Sequence, residues 1–364
     1  MMVNRLREFI KREWFLSSLF VLYIALLLRD GSLLERTPDL IDWGGLALIT
    51  SLILVSKGLE LSGAFAELSI LVINLSRGSE KRLALILLPT IALSSAIIMN
   101  DTAMLIFIPF IVALSRLIER DTAALVIFSA IAANVGSSLT PIGNPQNIII
   151  WRRYGVPFQD FIAYMLPFVL LWLILLLLFA FVTFRGSLPE RKLQAVKVRE
   201  SLLWSSLFLL IINIVLAREE RALWTLPLTV VILSLVGKDV LLSFDWALVL
   251  TFAFIFVDFG ELSGIMASLG LHPPSSEIGL FLFSALLSQV VSNVPATVLL
   301  FSAENWGPLA VGVNAGGTGF MVGSLANLIA IRIARVSIGK FHRYSVPYFL
   351  LILLLSALLL GILP

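Results

Sequence analysis

Apolar stretches separated by short polar ones run through nearly the whole chain, and their lengths set the first expectation. Runs of about 17 to 25 apolar residues match the hydrocarbon thickness of a bilayer. They predict spans over Trp14–Leu28, Asp42–Leu59, Asp121–Ile150, Pro157–Phe184, Ser201–Ala217, Ala222–Val236, Phe244–Glu261, Trp306–Ala334 and Tyr344–Leu363. Two further apolar regions, Arg82–Ile118 and Glu277–Ser302, are each a pair of short segments joined by a polar tip. The tips are Asn100-Asp101-Thr102 and Ser292-Asn293-Val294-Pro295. Both regions are predicted as re-entrant helical hairpins, although two complete spans would return the chain to the same side. The expected fold is an all-α polytopic membrane protein of about nine spans plus two hairpins.

Composition agrees with the pattern: 59% of 364 residues are hydrophobic, 13% are charged, and the mean hydropathy is +1.02. No water-soluble domain is built that way, and no polar stretch is long enough to bury a core of its own. Residues 1–364 therefore read as one membrane domain, with 185–200 as its longest loop. The basic N-terminus (Arg5, Arg7, Lys11, Arg12) precedes an apolar run without a small-residue cleavage site, so it is expected to stay as a first anchor. Cysteine is absent, which removes disulfides, thiolate metal ligands and a cysteine nucleophile.

Basic residues orient the spans. With a cytoplasmic N-terminus, the loops around 5–12, 77–82, 116–120, 185–199, 238 and 332–343 hold most of the Lys and Arg. Arg29, Arg36, Arg152, Arg153, Arg218 and Arg221 fall outside. That bias places the C-terminus outside and the protein in the cytoplasmic membrane.

An internal repeat follows. Asp42-Trp43 opens a span that ends Lys57-Gly58-Leu59-Glu60-Leu61-Ser62-Gly63, and Asp245-Trp246 opens another that ends Asp258-Phe259-Gly260-Glu261-Leu262-Ser263-Gly264. Each is followed by a hairpin with asparagine at its tip, Asn100 or Asn293, and then by a long span broken by glycine and polar residues. The broken spans align without a gap, so that Gly136, Gly143 and Asn147 match Gly316, Gly323 and Asn327. The charge-derived orientation makes the copies antiparallel: repeat one over about 14–184, repeat two over about 222–364, with the extra span 201–217 turning the second over.

A helix broken in hydrocarbon frees backbone groups at several kcal/mol each, so breaks persist where they line a cavity or bind something. Candidate binding residues are therefore Asn100, Asp101 and Thr102 at the first tip, and Thr140, Asn144 and Asn147 in the first break. Their counterparts are Ser292, Asn293 and Thr297 at the second tip, and Asn314, Thr318 and Asn327 in the second break. Asp101 is either an intramembrane ion carrier or part of an ordinary exposed turn. The break residues either bind an ion or brace a kink, and the glycines of the second break also suit close helix packing. No Gly-Lys-Ser/Thr follows them, so a phosphate-binding loop is rejected. Lys57, Glu60, Asp258 and Glu261 sit at span ends and read as snorkelling interfacial charges. His272 and His342 fall in predicted loops on opposite sides, which argues against a zinc site.

The stretch Asn134-Val-Gly-Ser-Ser-Leu-Thr-Pro-Ile-Gly-Asn-Pro-Gln-Asn147, with Met99-Asn-Asp-Thr-Ala103 and Ser292-Asn-Val-Pro-Ala-Thr297, resembles the ion transporter superfamily. That group includes arsenite permeases, NhaD-type sodium/proton antiporters, citrate transporters and divalent anion/sodium symporters. The resemblance implies inverted repeats, hairpins that re-enter, an elevator movement, a homodimer, and substrate and cation sites at tips and breaks. The dicarboxylate symporters carry Ser-Asn-Thr tips; here the first is Met99-Asn100-Asp101-Thr102, closer to the arsenite-permease style.

The chain is thus expected to be a secondary transporter of a small inorganic or carboxylate anion, coupled to H⁺ or Na⁺, with Na⁺ near Asn100, Asp101, Asn144 and Asn293. A Na⁺/H⁺ antiporter using Asp101 is the alternative, and an intramembrane enzyme is a remote one, since no nucleophile or metal set stands out. No resident cofactor and no nucleic-acid partner are expected. The lipid bilayer, the anion and a second copy are, and a separate ATPase subunit stays open.

Overall fold

The computed structural model describes residues 13–118, 121–187, 197–244 and 246–362. Arg5, Arg7, Lys11, Arg12, Arg120, Arg191, Lys192 and Asp245, all used in the sequence reading, lie outside the described residues.

Small polar residues fix where several helices start. Asp42, Ser79, Asn144, Ser276, Asn305, Ser324 and Ser337 each accept a hydrogen bond from a backbone N–H in the first turn of the helix that follows. In chain order the helices are α1 (Trp14–Arg29), α2 (Leu33–Leu40), α3 (Trp43–Leu61), α4 (Ala64–Ser76), α5 (Glu80–Ile98), α6 (Asn100–Ile118), α7 (Ala123–Ser137), α8 (Pro145–Tyr154) and α9 (Phe158–Thr183). Then come α10 (Glu200–Arg218), α11 (Thr225–Val236), α12 (Lys238–Leu242), α13 (Trp246–Ser268), α14 (Glu277–Val291), α15 (Asn293–Leu299), α16 (Trp306–Gly316), α17 (Leu325–Ala334) and α18 (Ile338–Leu360).

Among the described residues six helices, α3, α5, α9, α10, α13 and α18, are long and apolar enough to cross a membrane. Their outward faces stay apolar. On α9, Leu166, Leu170, Ile174 and Leu178 form an exposed stripe at a spacing of four, and Leu350, Leu354 and Leu358 do the same on α18. Helices apolar on both faces suit hydrocarbon outside and a packed core within.

Close helix contacts come from small residues. A Cβ on Gly136 of α7 would overlap the Ala92 carbonyl of α5, and one on Gly316 of α16 would lie 2.5 Å from Ser288 Cβ and 2.9 Å from the Ala285 carbonyl of α14. These pairs, α5 with α7 and α14 with α16, join each tip to its break. Tips and breaks also cross over between copies: α17 packs on α6, and α15 on α8. Around them α3 packs with α10 and α11, and α13 with α1 and α2.

Several details differ from the sequence reading. Helices α2 and α4 fall in stretches left unassigned, because eight and 13 residues are too short to register as spans. Helix α13 runs on to Ser268, past the Glu261 expected as its end; the matching chain in the first copy instead turns at Gly63, whose φ is 84°. His342 lies within α18, not a loop, and its Nε2 accepts from the Met321 N–H at 3.1 Å. Asp258 is not at a helix end reaching for water: it sits within α13 with 0% exposure. Glu261 pairs with Arg36 at 3.1 Å.

Candidate transport site

Each tip is a helix-to-helix turn made by one residue of positive φ. Met99 (φ 65°) separates α5 from α6, and Ser292 (φ 76°) separates α14 from α15. Left-handed backbone costs a residue with a side chain of order 1–3 kcal/mol and persists only where its surroundings enforce it. Asparagine then closes each turn: Asn100 Oδ1 accepts from the Asp101 N–H at 3.0 Å, and Asn293 Oδ1 from the Val294 N–H at 2.9 Å.

The breaks are equally alike. Helix α7 stops at Ser137 and α8 resumes at Pro145; α16 stops at Gly316 and α17 resumes at Leu325. In the first, Asn147 Nδ2 donates to the carbonyls of Ser137, Ser138 and Thr140 at 3.3, 3.3 and 2.9 Å. In the second, Asn327 Nδ2 donates to those of Gly317 and Phe320 at 2.8 and 3.2 Å. One amide thus satisfies the carbonyls orphaned when each helix stops.

The two breaks also bond to each other reciprocally. Asn134 Nδ2 donates to Asn327 Oδ1 at 2.9 Å, and its counterpart Asn314 Nδ2 donates to Asn147 Oδ1 at 2.7 Å. Both also donate to the carbonyl four residues back, Ala130 and Ala310. The first tip joins through Asn100 Nδ2, which donates to Asn134 Oδ1 at 3.0 Å, while Asn144 Nδ2 and Gln146 Nε2 donate to Asn314 Oδ1 at 2.9 and 3.2 Å. All these amides are buried, so the lattice is rigid and costly to leave unpaired.

Beside the lattice lies a pocket of about 40 Å³, edged by Asn100, Asp101, Gln146, Ser292, Asn293 and Ser324 and walled by Leu248, Thr251 and Ile255 of α13. That is room for a few water-sized bodies. The first turns of α6, α8 and α17 converge on it, with α15 alongside. Helix N-termini carry free N–H groups and partial positive charge, so their convergence favours an anion. Asp101 opposes that field. It also borders a second cavity of about 810 Å³ lined by Lys57, Glu60, Thr102 and Arg332, so it stands where the small pocket meets the large one.

Of the predicted residues, Asn100, Asp101, Ser292 and Asn293 line the small pocket and Thr102 the large one. Asn144, Asn147, Asn314 and Asn327 form the lattice behind it. Thr140, Thr297 and Thr318 donate their hydroxyls to the carbonyls of Ala96, Asn293 and Ala315, and neither cavity is lined by them. Sequence reasoning did not single out Asn134 as a site residue, although the gapless offset that pairs Asn147 with Asn327 also pairs Asn134 with Asn314. Gln146, an amide of the first break that the sequence groups with Thr140, Asn144 and Asn147 as able to bind an ion, has a buried Oε1 with no partner among the described residues.

Helix ends gathered around a pocket inside a body with an apolar outer surface define, by class, a membrane transporter. Residues 9–304 match the citrate transporter family, and the chain belongs to it. It is 40% identical over 335 residues to the inner membrane protein YbiR of Escherichia coli, covering 90% of each chain. An uncharacterized transporter of Methanocaldococcus jannaschii is 35% identical over 218 residues, 59% of this chain and 60% of its own. The fold resembles the crystal structure of the YdaH transporter of Alcanivorax borkumensis, with TM-score 0.52 and 16% identity over 93% of this chain and 88% of that one. The chain is an integral membrane protein of a transporter family.

Proposed function

We propose that the protein is a secondary transporter that carries a compact anion in the small pocket and couples it to H⁺ or Na⁺ through Asp101. The observation that carries this is the convergence of the α6, α8 and α17 N-termini on a pocket that also contains one carboxylate. An ionised Asp101 repels an anion a few ångströms away. A proton or Na⁺ on that carboxylate removes the repulsion, so cation and anion bind together; by linkage each raises the affinity of the other. Asn100, Asn293, Gln146 and Ser324 supply the polar contacts. A pocket of about 40 Å³ favours a small inorganic oxyanion or arsenite-sized solute over citrate, whose three carboxylates need more room. A silicon efflux transporter of rice, 32% identical over 130 residues that make up 36% of this chain and 27% of its own, is a relative whose name carries an inorganic cargo.

The reading extends to the whole chain as one transport domain with two inverted repeats. The reciprocal bonds Asn134 to Asn327 and Asn314 to Asn147 support a two-fold relation, since such a relation exchanges equivalent contacts. The ion pairs support the assignment of chain ends to two sides: Arg36 with Asp30 and Glu261, Arg152 with Asp42, Lys57 with Glu60, Arg199 with Asp239, and Lys340 with Asp121 each join residues that the basic-residue bias puts on one side. With Lys57 and Arg332 cytoplasmic, the large cavity opens inward. Helices α5–α8 and α14–α17 form a body that moves against α1, α3, α10, α11 and α13 as an elevator, in a homodimer in the cytoplasmic membrane, as the resemblance implies.

Uptake into proteoliposomes tests the reading, using labelled phosphate, sulfate, arsenite and citrate under an inward H⁺ or Na⁺ gradient. Gradient-dependent accumulation of at least one inorganic solute is expected, with citrate slower. Exchange of Na⁺ for H⁺ with none of the solutes moving would replace it with the antiporter reading, in which the same carboxylate is the carrier.

A further inference from the structure

We propose that Asp258 is a second proton-carrying residue, protonated while sealed behind the small pocket and freed to release its proton when α15 slides along α13. The inference rests on the two-body transport reading above. Both carboxylate oxygens of Asp258 are buried and have no hydrogen-bond partner among the described residues, and the residue is 0% exposed. An ionised carboxylate left in this way would cost far more than the fold can spare, so the group is neutral here. A bound Na⁺ would need several oxygen ligands, whereas the neighbours along the helix, Ile255, Phe256, Val257 and Phe259, are buried and apolar.

Position gives the buried acid a role. Leu248, Thr251 and Ile255 form the α13 wall of the small pocket. Asp258 follows Thr251 by seven residues and Ile255 by three, so it continues that same face about 4.5 Å further along the axis. Helix α15, which carries the second tip, packs against α13. Movement of the tip along α13 by about one turn therefore brings Asp258 to the pocket edge in place of Ile255. The cavity side of the pocket has Asp101 and the sealed side has Asp258, which makes a two-station path for one proton.

Among the described residues, no charged group on the helices packed against α13 competes for it. Arg36 on α2 bonds Asp30 and Glu261, and Lys57 on α3 bonds Glu60. Glu35 and Asp39 on α2 and Arg29 on α1 are exposed, Tyr23 on α1 bonds Thr37 at 3.1 Å, and α15 carries no titratable side chain. Glu261, on α13 itself, is held by Arg36.

Infrared spectroscopy of the purified full-length protein, labelled with ¹³C-aspartate, reads the protonated group without any substrate. At neutral pH a protonated-carboxyl band that shifts with the label and exchanges slowly in D₂O is expected in wild type and in Asp101→Asn, and its loss in Asp258→Asn. No such band in wild type, or an unchanged band in Asp258→Asn, overturns the inference while leaving anion uptake untouched as a separate question. The wild-type and Asp101→Asn spectra decide the point even where Asp258→Asn fails to fold. For the carrying role, proteoliposomes with an entrapped pH dye are given phosphate, sulfate or arsenite, whichever wild type accumulates. Asp258→Asn should lose at least about tenfold of the solute-driven proton flux, and Asp258→Glu should restore part of it. Full proton flux in Asp258→Asn contradicts the role. Absence of solute movement in wild type refutes the transport reading instead.

Discussion

The two tip-and-break copies share a backbone and differ in charge. Both turn at a strained residue, both close the tip with an asparagine, and both use one amide to gather the carbonyls of the interrupted helix. Yet the residue after the tip asparagine is Asp101 in one and Val294 in the other, and Lys57 in the first copy corresponds to Asp258 in the second. Symmetric parts make the scaffold and the pocket shape; the unsymmetric residues carry ionic character. On the proposed reading the paired helix ends hold the anion, and the unsymmetric residues put an acid on each side of it.

The comparison breaks most visibly at the helix contacts. Gly136→Ala drives a methyl into overlap with three backbone atoms of Ala92, whereas at Gly316 the overlap is milder, 2.5 Å from Ser288 Cβ and 2.9 Å from the Ala285 carbonyl. Thermal unfolding in detergent should show Gly136→Ala losing about 3 kcal/mol or failing to fold, and Gly316→Ala losing about 1–2 kcal/mol. Equal losses would mean the two contacts are not ranked as the structure ranks them.

Next come the lattice amides. Asn314 is held by four side-chain hydrogen bonds and Asn134 by three. Replacing either with alanine strands buried partners, so about 2–3 kcal/mol is expected for Asn314→Ala and about 1–2 kcal/mol for Asn134→Ala. Double-mutant cycles sharpen the point: the Asn134–Asn327 and Asn314–Asn147 couplings should agree within about 0.5 kcal/mol. Clearly unequal couplings would show that the reciprocity is geometric only.

The smallest effect lies at the surface. Lys340 and the Ala123 N–H hold the Asp121 carboxyl below the usual carboxylate range, and the pair ties the start of α7 to that of α18. A lowered folded value gives stability that is present above the unfolded value of about 3.9 and lost as pH falls through the folded one. With 65% of the Asp121 side chain exposed, Asp121→Asn should cost at most about 0.5 kcal/mol at neutral pH, and nothing in strong acid. A loss above about 1 kcal/mol would place that pair in a less solvated setting than its exposure shows.

Much of this was legible in the chain. Apolar run lengths located α3, α9, α10, α13 and α18, whereas α5, 19 residues and long enough to span, reads from sequence as one short arm of a hairpin; proline and glycine between Gly136 and Asn147 marked where a helix must stop. The asparagines at equal offsets pointed to each break, as ion ligands or as braces, and the bonds of Asn147 and Asn327 are those of braces. What stayed hidden was direction. In a helix such as α13, apolar toward both lipid and core, no stripe marks the inner face. Asp258 therefore read as the end of an apolar run followed by Gly260 and Glu261, when the helix continues to Ser268 and buries it. Asn134 stands among alanines before the break and gave no local signal; its contacts with Asn327 and with the tip residue Asn100 give it a task. Thr140, Thr297 and Thr318 erred the other way, since hydroxyls near a break suggest a ligand but bond to nearby carbonyls just as readily.

The claim at the centre is that Asp101 makes anion binding depend on a cation. Asp101→Asn keeps the shape of the tip and removes the charge, so it separates coupling from binding. In proteoliposomes with saturating labelled phosphate, sulfate or arsenite, whichever wild type accumulates, the variant should equilibrate the solute but no longer concentrate it when an H⁺ or Na⁺ gradient is imposed. Accumulation by Asp101→Asn that follows the gradient as steeply as wild type would contradict the account.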